Sequence, residues 1–256
     1  MSAISCELTV LEQTAPAADI RRLAVQWQDR SHEPHAGQFY MLRAWAADAT
    51  PLLSRPISVH DFDERTGALT FLYQVKGEGT QKLAALKAGD TLTVTGPCGN
   101  GFDAAALAGA GKIAVVGGGI GTAPMFQLTR ELAAAGVKPD VFFGFRDTPY
   151  CMEEYRSIAN LVKVSTDTGA VGFHGFVTQL YDPADYDVVL VCGPTVMMKN
   201  AARLCAEKGT PCFVSMEKKM ACGIGACLGC TCETRGGEGK SVCKNGPVFD
   251  ATEVFF

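Results

Sequence analysis

Four cysteines near the end of the chain have types and spacing that suit redox chemistry. Cys222, Cys227 and Cys230 follow one another in C-x4-C-x2-C order, and Cys243 comes after them. Four thiolates hold a [2Fe–2S] cluster, and this three-cysteine spacing is one that such clusters use. Residues without a Cβ let the backbone bend around an inorganic core and direct N–H groups at sulfur, and they stand at Gly223, Gly225 and Gly229. The pattern predicts a one-electron carrier with these four cysteines as ligands.

Two other uses of the thiols stay open at this point. A zinc site also uses C-x2-C pairs, although it typically takes two such pairs on separate knuckles. Disulfides are less favoured, because the chain has 11 cysteines, an odd number, and its N-terminus lacks the basic start and apolar run of a secretory signal. Cys232 is set aside as a ligand, since a single residue between it and Cys230 would crowd the chelate.

Two motifs in the first hundred residues could bind a flavin nucleotide. Arg55 offers a planar fork of donors for a pyrophosphate, Pro56 restricts the backbone, and Ser58 can hydrogen-bond the edge of a flavin ring. Gly79 and Thr80 begin a predicted helix and could cradle a phosphate. The alternative for either motif is structural: Arg55 would pair with a surface carboxylate, and the glycine segment would be only a turn.

Two glycine-containing turns in the middle of the chain predict a nucleotide crevice. The segment 117–124 (GGGIGTAP) lies between an apolar strand and a helix, where phosphates can reach free N–H groups. It departs from the common Gly-x-Gly-x-x-Gly/Ala fingerprint at the last position, and alone it could be a tight strand–helix turn. Ligands of open α/β sheets bind beyond the carboxyl ends of strands. Because Cys192 and Gly193 end another predicted strand of the same sheet, two glycine-containing turns at this edge favour a crevice there.

Three stretches of the 256-residue chain differ in pattern. Residues 1–105 contain short runs of alternating apolar and polar residues, which predict a small antiparallel β-barrel. Residues 106–212 contain continuous apolar strands interleaved with helices, which predict a parallel sheet covered on both faces. Residues 213–256 are mostly loop, cysteine and glycine. The predicted fold is a multidomain α+β protein: an FAD-binding barrel, an α/β nucleotide domain and a small C-terminal [2Fe–2S] module.

The composition excludes several classes of partner. Net charge is −4, only 20% of residues are charged, and no block of like charge occurs, so neither nucleic acid nor an anionic membrane is expected to bind. No run of 18 apolar residues is present. The many unpaired cysteines favour a reducing compartment, and we expect the protein in the cytoplasm.

The order of these motifs resembles a known superfamily. RPIS, GEGT, GPCGNGF, GGGIGTAPM and CGP follow one another as in the ferredoxin–NADP reductase superfamily, in which an FAD barrel precedes a nicotinamide-binding domain. With MEKKMACGIGACLGCTC and VCKNGPVFD at the end, the chain resembles the family of electron-transfer subunits of NAD-dependent, class B dihydroorotate dehydrogenases. The resemblance covers essentially the whole chain. Where that family usually has Gly-Pro-Leu-Gly, this chain has Cys98 in place of the leucine.

The resemblance implies a set of binding residues. The implied FAD contacts are Arg55, Pro56, Ile57, Ser58, Leu72, Tyr73, Gln74, Gly79 and Thr80. The implied cluster ligands are the same four cysteines that the spacing indicates. The nicotinamide is placed near Gly119, Gly121, Cys192 and Gly193, and the resemblance favours NAD over NADP. From the residues alone, Arg146 could reach a 2′-phosphate while Asp147 would favour a free 2′-hydroxyl, and the choice stays open.

The resemblance also implies a function and a partner. The chain would be an NAD-linked oxidoreductase subunit in pyrimidine biosynthesis. It would pass electrons from the FMN of a dihydroorotate dehydrogenase catalytic subunit through the cluster and FAD to NAD+, in a heterotetramer of two copies of each subunit. Flavin belongs between the other two groups, because a nicotinamide exchanges two electrons at once and a cluster one. No side chain is predicted to be a catalytic acid or base.

Two alternatives are carried forward. The small subunit of an NADH-dependent ferredoxin:NADP oxidoreductase shares the same modules, although it tends to have Asp at the first cluster position, where this chain has Cys222. An iron–sulfur redox sensor would use a cluster without turnover, and a flavin facing a nicotinamide pocket argues against that class.

Overall fold

The computed structural model describes residues 3–255, and its first part is a closed six-stranded barrel. The strand order around the barrel is β1-β2-β5-β4-β3-β6, and every neighbouring pair is antiparallel. The barrel strands are β1 (Ile4–Ala17), β2 (Ile20–Gln26), β3 (Phe39–Arg43), β4 (Arg55–Asp63), β5 (Ala68–Gln74) and β6 (Thr91–Cys98). A short helix, α1 (Glu78–Ala84), follows β5. The barrel predicted from the alternating pattern is confirmed.

The interior of the barrel is built from the inward half of each alternating strand. Tyr40 is fully buried, and its ring packs edge-on against Trp27 at 5.2 Å and Phe71 at 5.6 Å between ring centroids. Aromatic side chains fill such an interior and prefer this edge-to-face arrangement. Gly96 is required beside Tyr40, because a Cβ there would lie 2.4 Å from the tyrosine ring.

A seven-stranded sheet forms the second part of the molecule. Its order is β10-β9-β8-β7-β11-β12-β15, and all neighbouring strands are parallel except the last pair. The strands are β7 (Ile113–Gly118), β8 (Asp140–Phe145), β9 (Leu161–Thr166), β10 (Phe173–His174), β11 (Val188–Cys192), β12 (Cys212–Ser215) and β15 (Val248–Asp250). Central strands such as β7 and β11 are buried along their whole length, because helices cover both faces.

The helices of the second part are α2 (Ala104–Leu107), α3 (Met125–Ala134) and α4 (Thr195–Lys208). Short 3-10 turns lie at Ala108–Ala110, Gly119–Thr122, Glu153–Tyr155, Val177–Gln179 and Pro183–Asp185. The helix predicted after segment 117–124 is α3, and the 3-10 turn Gly119–Thr122 precedes it. Helix α4 ends where Gly209 adopts a left-handed conformation.

Helix α3 connects the sheet to the barrel through polar contacts. The backbone N–H of Phe62 on β4 donates to the Gln127 side chain at 2.9 Å, and Arg130 pairs with Asp61 at 2.8 Å. The N–H of Ala36 donates to Glu131 at 3.0 Å. Because these bonds join residues far apart in sequence, they hold the barrel and the sheet in one arrangement.

The C-terminal segment has little regular structure of its own. It contains the two-stranded ribbon β13 (Thr231–Glu233) and β14 (Gly239–Ser241) and the short helix α5 (Val242–Asn245), and it ends by adding β15 to the large sheet. The cysteine loop lies between β12 and β13. Boundaries near residues 105 and 212 stay predictions. Within residues 3–255, no helix has the length and apolarity to cross a membrane.

Candidate functional site

The cysteine loop folds so that backbone N–H groups point at sulfur. The N–H of Gly225 donates to Cys243 Sγ at 3.1 Å, and the N–H of Cys227 donates to Cys222 Sγ at 3.4 Å. The N–H of Cys243 donates to Cys230 Sγ at 3.4 Å. Gly225 can make its contact because it adopts a φ of +81°, which side chains disfavour. Such donors stabilise thiolates, the form in which cysteine binds metal.

The four ligand cysteines fall into two pairs. Cys230 Sγ lies 3.2 Å from Cys243 Sγ, and the backbone N–H of Cys227 donates to Cys222 Sγ at 3.4 Å. Partial burial acts to raise the pKa of Cys222, but the N–H groups of Ile224 and Cys227 outweigh it and lower that pKa to about 6. The first predicted ligand is therefore prepared to ionise.

This pairing suits two irons better than one zinc ion. A zinc site needs four ligands around one point, whereas each iron of a [2Fe–2S] core takes two protein thiolates. The residues present fit the cluster. Cys232 stands apart, because its thiol donates to the Lys240 carbonyl across the β13–β14 ribbon at 3.3 Å.

A cavity of about 240 Å³ lies where the barrel, the sheet and the start of the cysteine loop meet. Six of the predicted FAD contacts line it: Pro56, Ile57 and Ser58 from β4 and Leu72, Tyr73 and Gln74 from β5. Cys192 lines it from the end of β11, and Met220 lines it from the loop. The Tyr73 hydroxyl donates to Gln13 at 3.1 Å, and the main chain of Tyr73 pairs with Arg21 of β2.

The remaining three predicted FAD contacts lie together outside that cavity. The Arg55 guanidinium packs against Gly79, where a Cβ would come within 2.6 Å of Arg55 Nε. Thr80 Oγ1 accepts from the N–H groups of Lys76 and Gly77 at 3.0 and 3.1 Å, which fixes the first turn of α1. Arg55 donates to the Leu53 carbonyl at 2.5 Å and forms no ion pair with a carboxylate of residues 3–255. The guanidinium is thus available to an anionic ligand.

The two glycine turns predicted to form a crevice touch each other. A Cβ on Gly121 would lie 2.5 Å from the Cys192 carbonyl oxygen and 2.6 Å from Gly193 Cα. Only glycine at position 121 allows this approach. Gly119, in the same turn, has a φ of +54° and open space beside it. Arg146 and Asp147 lie at the end of β8, both exposed, with 3.7 Å between Arg146 Nε and a carboxylate oxygen of Asp147.

Sequence reasoning missed Glu217, which lines the same cavity from beyond the end of β12. Burial raises the pKa of this carboxyl, and the nearby charge of Lys76 acts in the opposite direction. Burial, followed by the charge of Glu217, raises the pKa of Cys192 to about 12. Residue 217 is nevertheless solvent-exposed, so its carboxyl keeps contact with water where it lines the cavity. Its position just past a strand of the parallel sheet is the signal that could have found it.

Comparison with known proteins bears on these features. Residues 217–255 match the iron–sulfur cluster binding domain of dihydroorotate dehydrogenase B. The chain is 46% identical over 222 residues to the electron transfer subunit of dihydroorotate dehydrogenase B (NAD(+)) from Clostridium acetobutylicum, covering 87% of each chain. The chain belongs to this family. Another electron transfer subunit of the family, from Caldanaerobacter subterraneus subsp. tengcongensis, is 38% identical over 252 residues, with 96% of this chain and 97% of that one covered.

Solved structures agree with the architecture of an electron transfer subunit. The structure of an NADH-dependent reduced ferredoxin-NADP oxidoreductase superposes with a TM-score of 0.84 at 28% identity, covering 97% of this chain and 89% of that one. The ferredoxin reductase of a carbazole 1,9a-dioxygenase shares the fold, with a TM-score of 0.67 at 20% identity over 82% of this chain and 67% of that one. The predicted family and fold are confirmed.

Proposed function

We infer that the chain transfers electrons from a partner dihydroorotate dehydrogenase catalytic subunit, through a [2Fe–2S] cluster and FAD, to NAD+, in pyrimidine biosynthesis. One observation carries this inference. The two strands predicted to hold flavin, the carboxyl end of β11 and Met220 line a single cavity, and Met220 is two residues before the predicted ligand Cys222. The three predicted sites are therefore neighbours, as a route from a one-electron carrier to a nicotinamide requires.

Cys222, Cys227, Cys230 and Cys243 are the residues we assign as cluster ligands. When bound, the cluster would supply single-electron transfer. The flavin would couple it to the two-electron chemistry of a nicotinamide, because a flavin can exchange one electron or two. The N–H groups directed at the sulfurs act to stabilise the ionised ligands and lower the pKa of Cys222 to about 6, whereas burial and the Cys230 thiol raise the pKa of Cys243 to about 12. Cys230 and Cys243 are buried, so half of the ligand set is shielded from water.

The flavin assignment divides into two parts of the barrel. The cavity residues of β4 and β5 would hold the ring, and Ser58 would orient it by a hydrogen bond. Arg55, supported by Gly79 and by the first turn of α1, would bind the pyrophosphate, because a guanidinium matches two phosphate oxygens at once. Thr80 would act indirectly, by fixing the turn that presents its backbone N–H groups.

The nicotinamide assignment uses the contact between the two glycine turns. Gly119, Gly121, Cys192 and Gly193 would form the floor on which NAD+ approaches the cavity. Burial favours the protonated form of Cys192, because it raises the pKa of this thiol to about 12, so Cys192 adds no negative charge beside the place where a flavin ring would lie.

A partner subunit follows from the function of the family, and its details are proposals. We propose that the partner carries FMN, that two copies of each subunit form a heterotetramer, and that the complex works in the cytoplasm. The cysteine loop is the proposed docking surface, because Ile224 and Leu228 are large apolar residues exposed beside Cys222 and Cys227. Light scattering on the purified complex tests the assembly, and a mass equal to one copy of each subunit would contradict the heterotetramer.

The central experiment purifies the chain together with its partner and records the absorbance spectrum, the flavin content and the iron content. We expect one FAD and one cluster on this chain, and dihydroorotate should bleach both absorbance bands until NAD+ is added. A complex that contains flavin and iron but does not respond to dihydroorotate would overturn the substrate assignment. A chain that binds no iron would overturn the cluster assignment as well.

The second candidate is the small subunit of an NADH-dependent ferredoxin:NADP oxidoreductase. The close superposition on the solved oxidoreductase favours it. Cys222 at the first cluster position argues for the dihydroorotate enzyme. Reduced ferredoxin that bleaches the flavin where dihydroorotate does not would reverse this choice. A redox sensor is distinguished by failing to oxidise NADH with an artificial acceptor.

A further inference from the structure

Strand β3 presents two different faces, and only its inner face belongs to the barrel core. Tyr40 and Leu42 point into the barrel, where they pack with the other interior residues. Phe39 and Met41 alternate with them and therefore lie on the outer face. Both are 3% exposed, although they are not part of the barrel interior. Something other than the barrel covers them.

One end of this outer face belongs to the cavity. Phe39 lines the cavity, and its cross-strand partner on β4 is Ser58. The partner of Met41 is Pro56, which also lines the cavity. Directly opposed residues of an antiparallel pair project from the same face of the sheet. Phe39 and Met41 therefore share a surface with the residues assigned to the flavin ring.

The other end of the outer face touches the cysteine loop. A Cβ on Gly223, the residue after Cys222, would lie 2.5 Å from Met41 Cγ and 2.9 Å from Met41 Sδ. Phe39 and Met41 belong to the same buried apolar cluster as Cys230 and Cys243. Two residues of a strand span roughly 6.5–7 Å. One short stretch of β3 therefore reaches from the cavity to the loop that carries the ligands.

We propose that the outer face of β3, formed by Phe39 and Met41, is the bridge across which electrons pass between the cluster and the flavin. The proposal rests on the function inferred above. Two electrons would cross the bridge one at a time, and NAD+ would receive both, together with one proton drawn from water, as a hydride. The rate of electron transfer between two fixed centres falls with every empty space between the atoms that separate them, and closely packed side chains leave few such spaces.

A second route competes with this bridge. Met220 lines the cavity, and the chain runs from it through Ala221 to Cys222. Electrons could follow these covalent bonds instead of the packed side chains of β3. The two routes use different residues, so substitutions can separate them.

The test uses the chain carrying its FAD and cluster, in complex with its partner, and runs the reaction from NADH. Rapid mixing follows two steps: bleaching of the flavin, then reduction of the cluster. We expect Met41→Ala to slow the second step on the order of tenfold, because a cavity replaces close-packed atoms, and to leave the first unchanged. Met41→Leu should restore the rate. Met41→Val removes less volume and replaces Met41→Ala if that variant does not fold.

Two control variants and three equilibrium measurements complete the design. Lys244→Gln alters a side chain that packs on Gly225 of the same loop but is not between the loop and the cavity, and it should keep the wild-type rate. Met220→Ala removes the side chain by which the covalent route would reach the cavity, and it should change the rate less than Met41→Ala. Iron content, the electron paramagnetic resonance spectrum and the cluster potential should match wild type in Met41→Ala.

Several outcomes would overturn the bridge. One is that cluster reduction in Met41→Ala keeps the wild-type rate, and another is that Met220→Ala slows it more than Met41→Ala does. The other two are that Met41→Leu slows cluster reduction as much as Met41→Ala, or that a shift in the cluster potential accounts for the slower step. Failure of the proposed function would look different, because the wild-type chain would then lack flavin or iron, or NADH would not reduce the cluster at all.

Discussion

At the scale of single residues, the four predicted ligands differ in how far they are from water. Cys230 and Cys243 are buried, Cys222 is half-buried and Cys227 is exposed. The exposed side of the loop is where an electron can enter from outside, and the buried side faces the core that contains Met41. This difference in exposure follows from the loop geometry, because the glycines fold the chain around the sulfurs and leave Cys227 at the surface.

The ligand assignment predicts a difference between two cysteines of similar burial. Cys243→Ser should remove the cluster and most of the bound iron, because the oxygen ligand replaces a thiolate that the N–H of Gly225 stabilises. Cys232→Ser is the matched control and should retain iron, because the Cys232 thiol contacts only the Lys240 carbonyl. Iron analysis and the visible absorbance of both purified variants check this. Equal iron loss in both would contradict the ligand set.

At the scale of elements, helix α3 is the main connection between barrel and sheet. Its polar side chains contact β4 and the segment before β3, and Glu131 accepts hydrogen bonds from Ala36 N–H and from Gln127. Burial raises the pKa of Glu131, although those hydrogen bonds and the charges of His35 and Arg130 act against it. The folded protein therefore holds this carboxyl in an environment that disfavours its charge.

This shift predicts a pH-dependent gain in stability for Glu131→Gln. The pKa of Glu131 is higher in the folded state than in the unfolded state, so ionisation of this carboxyl lowers the stability of the folded protein. The loss develops as the pH rises from about the unfolded value of 4.5 through the folded pKa. Glutamine keeps the acceptor without the charge, so the variant should melt higher at pH 8 by at most about 2–4 °C, the equivalent of about 1 kcal/mol for a chain of this size. The gain should shrink as the pH falls. Melting curves at several pH values check this, with Glu153→Gln, an exposed carboxylate, as the control.

The contact between the two glycine turns predicts a local effect on nicotinamide binding. Gly121→Ala places a Cβ 2.5 Å from the Cys192 carbonyl oxygen, so the turns must separate, at a cost of about 1–3 kcal/mol. We expect a lower melting temperature and a higher KM for NADH with an artificial acceptor. Gly109→Ala meets no atom within 4 Å and is the matched control. If both variants kept the wild-type KM, the crevice would not lie at these turns.

At the scale of the whole molecule, the two edges of the large sheet have different surroundings. Strand β15, which follows the cysteine loop, forms one edge, and β10 forms the other. Exposed apolar residues occur near both, with Ile224 and Leu228 in the loop and Phe173 and Phe176 at or just after β10. The electron must reach the loop from the partner, so the loop side is the one we expect the partner to cover.

Charge placed on the loop should therefore weaken the complex without disturbing the flavin chemistry. Ile224→Asp is expected to lower affinity for the partner by at least about tenfold, because apolar contacts at an interface centre can each contribute 2 kcal/mol or more. Oxidation of NADH with an artificial acceptor should be unchanged. Phe176→Asp changes a larger and more exposed apolar residue next to β10, at the opposite edge of the sheet from β15, and should bind normally. Co-purification of tagged subunits measures both, and the reverse order of effects would place the partner at β10.

Much of the site could be predicted because its chemistry is local in sequence. The ligand spacing, the Arg55–Ser58 motif and the glycine turns each need particular residues at fixed short separations, and short separations are visible in a linear chain. Glu217 could not be predicted in this way, because it lines the cavity together with barrel residues such as Pro56 and Tyr73 that lie far from it in sequence. The pairing of β15 with β12 was also missed, since a strand of three residues carries too little pattern to indicate its partner.

The amino-acid sequence by itself determined the kinds of group this protein can bind and their order along the chain. Only the tertiary structure decided that residues of β4, β5, the end of β11 and the segment before the cysteine ligands line one cavity, that Met41 touches the cysteine loop and that α3 joins barrel to sheet. The physical reason is that ligand chemistry depends on residue type and short spacing, whereas burial, close contact and pKa shifts depend on segments far apart in sequence that meet only when the chain is folded.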